Sequence, residues 1–429
     1  MKLVTHRKIK FNNIISIIKH IKLINYYIQF KTIIVILVLL LTSCLKVNED
    51  CNQNRYTETP EKEWFRDFGG SEEEAHGHFI LSCSDGGYLQ IGETGSLPNS
   101  AKILIVKINS SGDLIWKKEF SDGGHNLGNS AIETEDGYIV CGALNKNSTI
   151  FKLDKNNGSE IFRESVDNGG NDAFEHLAIT SSGIVAVGYT DATENNNTFY
   201  TGGKGYITFL DFNGVKKNGV NISSYLSHAY RVKVYNEKLY LSGLTDGAND
   251  YGLMKVDQSG NILWFKTFGG TNQDHCFGMD QNPEGFIFLT GHTISGTENW
   301  DSYTMKIDTN GNQIWEDIAG NPRGFKPKYI HDEAWGVRAT QDGGCLMVAG
   351  SGDEYVRYSR RCGQNKMSSN DWQVYLIKYT SNGTVAWEKT FGDGKNVDWA
   401  GEDLDLTSDG GAIVAVDNGK FGFLKIKPF

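Results

Sequence analysis

The sequence predicts an all-β protein: a seven-bladed β-propeller of four-stranded blades, with the ring closed by the N-terminal strand joining the last blade. Three observations predict it. First, a Gly followed four residues later by a large residue recurs along the chain, as Gly112/Trp116, Gly158/Phe162, Gly214/Asn218, Gly260/Trp264, Gly311/Trp315 and Gly383/Trp387. Trp64 heads this series with no matching Gly before it, and the series steps by 52, 46, 56, 46, 51 and 72 residues. Periods of this size, each holding four short apolar runs, belong to propeller blades. Second, Asp-Gly turns punctuate the runs, at Asp85-Gly86-Gly87, Asp136-Gly137, Asp342-Gly343-Gly344 and Asp409-Gly410-Gly411. Third, the two ends are complementary halves of one repeat. The last repeat stops after Phe421 to Lys427 without a Trp run, and the chain's first run, Glu63 to Phe68, is a Trp run with nothing before it.

Each repeat reads the same way in order. A first run follows a loop carrying Gly with His or an acid, and a second run follows the Asp-Gly turn. The second runs, such as Tyr138 to Cys141 and Ile184 to Val187, are apolar at successive positions, as in strands covered on both faces. A third run rich in Ile, Leu and Lys, such as Ile103 to Ile108, leads into a tight turn and then the Trp run. Met254 to Gly270 shows this in one stretch, with the turn at Asp257-Gln258-Ser259-Gly260. Turn residues between five-to-eight-residue apolar runs are hairpin signals. Placing the Trp run outermost leaves the last blade one strand short, and Glu63 to Phe68 supplies it, removing an open edge. Phe162 and Asn218 depart from Trp, so blades 2 and 3 are expected to dock less tightly.

The pattern Trp-x-Lys-x-Phe-Gly-Gly, Asp-Gly-Gly and Lys-x-Asp-x-x-Gly-x-x-x-Trp over residues 61–429 resembles the SBBP-type propeller repeats of bacterial extracytoplasmic proteins. The Asp-x-x-Gly-x-x-x-Trp piece also resembles the tryptophan-docking motif of quinoprotein propellers. Asp308-Thr309-Asn310-Gly311-Asn312 has the look of a calcium loop but lacks the distal bidentate Glu, so it reads as a tight turn.

Ahead of the repeats, Thr32 to Leu41 is an unbroken apolar run ending in Leu41-Thr42-Ser43-Cys44. It is too short to span a bilayer, which takes about 20 residues, and suits a signal-peptide core. The Cys-terminated end resembles a bacterial lipobox. That resemblance implies a signal peptide over 1–43, lipidation of Cys44, and a tether over 44–60; an ordinary secretory signal or an uncleaved anchor remains the alternative. The acids Glu49 and Asp50 after the Cys resemble surface-export signals of Bacteroidetes lipoproteins. The implied address is the outer membrane, on its periplasmic side or at the cell surface, with membrane contact through the lipid alone.

Charge narrows the partners. Residues 1–43 hold seven of the 42 basic residues and none of the 52 acids, so the remainder stands at −17. Such a chain repels nucleic acid and anionic lipid headgroups. Seven cysteines show no Cys-x-x-Cys spacing. Cys83 and Cys276, on first strands of blades 1 and 5, and Cys141 and Cys345, on second strands of blades 2 and 6, read as buried small residues, each pair on blades that are not neighbours, and Cys51 and Cys362 read as exposed thiols. No nucleophile motif, phosphate loop or metal cluster is present, so neither an enzyme, a cofactor nor a metal is expected, and a monomer is.

Length variation is confined to one class of connection: Thr190 to Gly203, His292 to Asp301, Gly320 to Asp332 and Ser351 to Asp371. One elaborated face is therefore expected, and with it the function. The longest insertion sets Arg357, Arg360 and Arg361 among Tyr355 and Tyr358. With Trp300 of the shorter loop, these are candidates for an anionic or glycan ligand; the alternative pairs the arginines with Asp353 and Glu354. Counting back nine residues from the turn acids finds His76, His228, His275 and Glu333, expected near the channel mouth. Asp274-His275 and Asp332-Glu333 are the acid/base pairs worth testing. The composition points to a non-enzymatic binding or scaffold module for a protein or glycan. The alternatives are an envelope assembly factor, against which seven rather than eight blades argue, and a glycan hydrolase or lyase, which needs His and carboxylates converging in one place.

Overall fold

The computed structural model describes residues 59–429 apart from 73, 96–100, 125, 195–199, 202, 246–249, 356–357, 361–365, 369 and 393–397. Cys44, Cys51, Arg357, Arg361 and Cys362 lie outside the described residues, as do residues 1–43; the side chains of Tyr358 and Arg360 do too. Seven antiparallel sheets, each of four consecutive strands save the last, make seven blades. The innermost strands are Ala75–Ser82, Leu127–Glu133, Asn171–Thr180, Leu226–Tyr235, Asp274–Gln281, His331–Ala339 and Ala400–Leu406. Each lies beside the innermost strand of the next blade, and the last lies beside the first, so the ring is complete. Blade 3 carries a small extra strand, Tyr200–Thr201, and the blade 6 insertion pairs Tyr358–Arg360 with Lys366–Ser368.

Closure occurs as the chain ends demand. Lys62–Phe68 pairs antiparallel with Phe421–Ile426 as the outermost strand of blade 7. Alternation along it sends Phe65 onto Trp399 at a centroid distance of 4.0 Å and turns Trp64 toward Tyr88 of blade 1, at 5.9 Å. The apolar core is accordingly seven slabs, one between each pair of neighbouring sheets, including blade 7 against blade 1. Second and third strands are buried along nearly their whole length, as between stacked sheets.

The Gly-plus-four spacing turns out to encode contacts between blades. The Gly of one blade's outer turn rests on the aromatic of the blade before it. A Cβ on Gly158 would meet the Trp116 ring at 2.6 Å, one on Gly214 would meet Phe162 at 3.0 Å, and one on Gly383 would meet Trp315 at 2.8 Å. The indole N–H of Trp116 donates to the Lys155 carbonyl (3.0 Å) and that of Trp315 to the Ser381 carbonyl (3.2 Å), each on the turn it covers. Where Asn218 replaces the aromatic, Val220 and Phe209 cover Gly260 instead. Trp387 has no turn after it and packs against the C-terminal Phe429, at 5.2 Å.

A second repeat device joins the Asp-Gly turn to the third strand. Lys107, Lys152, Lys378 and Lys425 each reach the turn acid of their own blade, at Asp85, Asp136, Asp342 and Asp409. The Asp308 turn is an Asx turn, its carboxylate accepting from the N–H groups of Asn310 and Asn312 at 2.8 and 2.9 Å. Cys141, Cys276 and Cys345 lie on their expected strands; Cys83 falls one residue past its strand, and all four are buried free thiols.

Candidate functional site

Every innermost strand carries a β-bulge at the equivalent place, those of blades 3 and 4 having a second irregularity nearer their start, and the seven equivalent bulged residues are His78, Asn129, Glu175, Tyr230, Phe277, Trp335 and Glu402. A bulge re-aims a side chain out of the pleat. Here ring contacts run from blade to blade, Tyr230 to Phe277 at 5.0 Å and Phe277 to Trp335 at 4.3 Å, so these side chains converge around the axis. The ring of seven is two-sided. Blades 4, 5 and 6 present aromatic rings, and blades 7, 1, 2 and 3 present Glu402, His78, Asn129 and Glu175. His78 Nε2 pairs with the buried Glu93 at 2.7 Å. Glu175 and Glu402 make no hydrogen bond or ion pair with another described residue, and burial pushes each carboxyl up to about 7.

The aromatic side continues outward onto the long-connection face. Tyr189 lies 4.6 Å from His228, which stacks at 5.8 Å on Tyr230. Beyond Phe277, His292 packs at 5.2 Å and Trp300 lies 4.9 Å from His292 and 4.7 Å from His275. Rings from blades 3 to 6 thus form one continuous track. Burial depresses His228 to about 4 and His292 to about 3, and lowers His275, so all three are neutral near pH 7.

The four residues expected at the channel mouth all sit near the starts of innermost strands, but they do different things. His76 is engaged between blades: its Nδ1 is 2.7 Å from Asp417 of blade 7 and its Nε2 3.2 Å from Glu74, and the Asp417 carboxylate holds it protonated, up to about 10. His228 is wedged between tyrosines. Glu333 pairs with His331 at 3.2 Å, while His275 packs on His292 at 5.2 Å and His292 lies 5.7 Å from Trp335 of the same strand as Glu333. Burial raises Glu333, but the 3.2 Å hydrogen bond to His331 and those neighbours bring it below the usual carboxylate range. Asp274 and Asp332 are not acid/base partners of the residues after them. Both are fully buried and accept from loop backbone, Gly270 N–H at 2.7 Å and Asn321 N–H at 2.6 Å, which fixes the connections entering blades 5 and 6.

Trp300 belongs to the track. Tyr355 is exposed at 67%. Asp353 is buried, its carboxylate accepting from the Tyr355 N–H at 2.9 Å, and Glu354 faces His331. Arg323, buried, donates to the carbonyls of Asp371 (2.7 Å) and Ser351 (3.0 Å), tying the Gly320–Asp332 connection to both ends of the insertion. Further along the inner strands, ion pairs link neighbouring blades, Lys233 with Asp280 and Arg338 with Asp403 and Asp405. They staple the inner strands at the end away from the track.

Comparison with known proteins adds the fold. No family model matches the chain, and no curated protein sequence does. Among solved structures, the chain is similar to hydrazine synthase of Kuenenia stuttgartiensis, with TM-score 0.53, 11% identity, and 81% of this chain and 94% of that one covered. It is similar to the Neurospora crassa Pan2 WD40 domain, with TM-score 0.51, 12% identity, and 83% and 90% covered. A third similar structure is a catalytically inactive variant of virginiamycin B lyase from Staphylococcus aureus with quinupristin, with TM-score 0.51, 13% identity, and 84% and 99% covered. The chain is a seven-bladed β-propeller. Likeness at such identities establishes this architecture alone, and binding modules share it.

Proposed function

We propose that this propeller is a lipid-anchored, non-enzymatic binding module of the bacterial outer membrane that takes an extended glycan across the channel mouth of blades 3 to 6. The observation that supports it is the continuous track from Tyr189 through His228, Tyr230, Phe277 and Trp335 to Trp300. The half-buried faces of Tyr230, Phe277, Trp335 and Trp300, backed by the buried Tyr189, His228 and His292, suit a ligand with apolar ring faces and hydroxyl edges. The lipobox resemblance at Cys44 and the SBBP-like repeat supply the address. The blade 6 insertion, with Tyr355 and the arginines, would extend the surface outward, where a protein ligand competes as an occupant.

The test is a glycan array with full-length protein beside Trp335→Ala, Trp300→Ala and a variant lacking Asp353 to Ser369. Binding lost in the two Trp variants supports the track. Binding lost only with the insertion moves the site outward, and no binding by any form rejects a glycan. One observation favours a second reading: Glu333 is paired with His331 at 3.2 Å, with the rings of His275 and His292 packed together on the neighbouring blade, and a glycan lyase or hydrolase needs such acid and base groups. Turnover of a bound glycan, abolished in Glu333→Gln with binding retained, would replace the first reading with this one.

A further inference from the structure

We propose that His331, Glu333 and Glu354 bind one divalent transition-metal ion of the zinc class. His331 opens the innermost strand of blade 6, and Glu333 follows two residues later, on the same side of the strand. Glu354 comes from just past the end of the second strand, Cys345–Gly352, where the insertion leaves the blade. Neighbouring strands thus bring Glu354 beside a His/Glu pair that lies well before it in the sequence. His331 Nδ1 is 3.2 Å from Glu333 Oε1 and 3.9 Å from Glu354 Oε1, and the three ligand atoms all lie within 4.8 Å of one another.

These separations match the ion. Zinc bonds of about 2.0–2.2 Å to N and O set tetrahedral ligand atoms about 3.3–3.5 Å apart. Glu333 is already there, and the Glu354 side chain, 55% exposed, needs only a small rotation. One imidazole and two carboxylates form a borderline-to-hard donor set, suited to zinc or manganese rather than Cu(I). Charge agrees: a protonated His331 between two carboxylates leaves one negative charge uncompensated, and a neutral, ligating His331 leaves two. An independent feature lies beside the cluster. His292 is 5% exposed, and its Nδ1 has no hydrogen-bond partner among the described residues. The His292 ring lies 5.7 Å from Trp335 on the same strand as His331 and Glu333, and its unpartnered nitrogen is available to a water on the ion. Three protein ligands leave the remaining positions open to solvent. The ion would also cross-link the inner strand to the root of the insertion, fixing Glu354 and the chain that follows it.

This proposal does not depend on the glycan reading. Isothermal titration of full-length protein with Zn²⁺ is compared with Glu354→Gln, His331→Gln and Glu333→Gln. The expected result is one ion per chain, with affinity reduced at least tenfold in each variant. The cysteines are controlled by Co²⁺ loading, whose spectrum at this site should lack thiolate charge-transfer absorption. Glu354→Gln alters an exposed side chain and leaves the fold intact, which circular dichroism checks, so the comparison survives if His331→Gln or Glu333→Gln misfolds. Absence of binding by the wild-type protein at millimolar zinc overturns the proposal. So does binding that Glu354→Gln leaves unchanged, or a Co²⁺ spectrum dominated by thiolate.

Discussion

Replacing Gly158 by Ala tests the reading of the Gly-plus-four spacing as a contact between blades, because Gly123 provides a matched control. The two have nearly the same backbone, φ 67° and 69°. A Cβ on Gly123 would meet nothing within 4 Å, while one on Gly158 would meet Trp116 at 2.6, 2.8 and 2.9 Å. Both variants bear the left-handed cost of about 1–2 kcal/mol, less about 0.4–1 kcal/mol from the stiffer unfolded chain. Gly158→Ala must also push a ring that is only 7% exposed. Overpacking costs about 1–3 kcal/mol, and the hydrogen bond from the indole to Lys155 is worth about 1 kcal/mol. The expected losses are thus about 1 kcal/mol for Gly123→Ala and about 3–5 kcal/mol for Gly158→Ala. Urea unfolding followed by tryptophan fluorescence measures both. Losses that agree within about 0.5 kcal/mol would show that the Gly serves turn geometry alone and that the Trp docking argument is wrong.

Other perturbations follow from the same contacts. Asp417 raises His76 to about 10 from an unfolded value near 6.5, so this pairing between blades 1 and 7 is fully stabilising below pH 6.5 and is lost as pH rises through 10; in His76→Asn the fall in melting temperature between pH 7 and 10 should be shallower. Lys107→Ala removes a wholly buried side chain and orphans the Ile108 carbonyl it bonds at 3.2 Å. With Asp85 half in solvent the charge pair counts for little, and the cavity and lost hydrogen bond should cost about 2–4 kcal/mol in urea melts. A chain beginning at Gly69 lacks the outermost strand of blade 7 and exposes the Phe421–Ile426 edge; it should elute as aggregate on size exclusion, and a stable monomer would mean that the strand is dispensable.

The architecture was legible in the sequence because its signals are periodic and local. Apolar second strands, Asp-Gly turns and the Trp run recur wherever a sheet lies between two others, and the unmatched Trp64 run fitted the unfinished last repeat. What the sequence reading took from Gly112/Trp116 was a spacing. That each Gly meets the Trp of the blade before it depends on blade order and needs the fold. The ring around the channel was missed through an offset of two. Counting back nine from Asp85, Glu237, Glu284 and Asp342 reaches His76, His228, His275 and Glu333, whereas counting back seven reaches His78, Tyr230, Phe277 and Trp335, the bulged residues. Nothing in composition marks that position, since its seven occupants are chemically unlike, and a bulge leaves no residue type behind. His292 and His331 were overlooked for another reason. They come from the end of a second strand and the very start of a first one, and only the packing of blades 5 and 6 sets them beside Glu333.

The pairing of Lys62–Phe68 with Phe421–Ile426 has a consequence in time. The strand translated earliest in the fold has no neighbour until nearly every other residue has emerged. Its Trp64, Phe65 and Phe68 stay uncovered through that interval, and Phe421–Ile426 arrives to a blade with one side still open. Contacts this far apart in sequence make for slow folding and a long exposure of unpaired edges. A chain exported in extended form meets the problem differently, since both strands then become available together once translocation ends. Closure of the ring is therefore the natural last step of folding, and the moment at which the protein becomes resistant to proteases that attack loose ends.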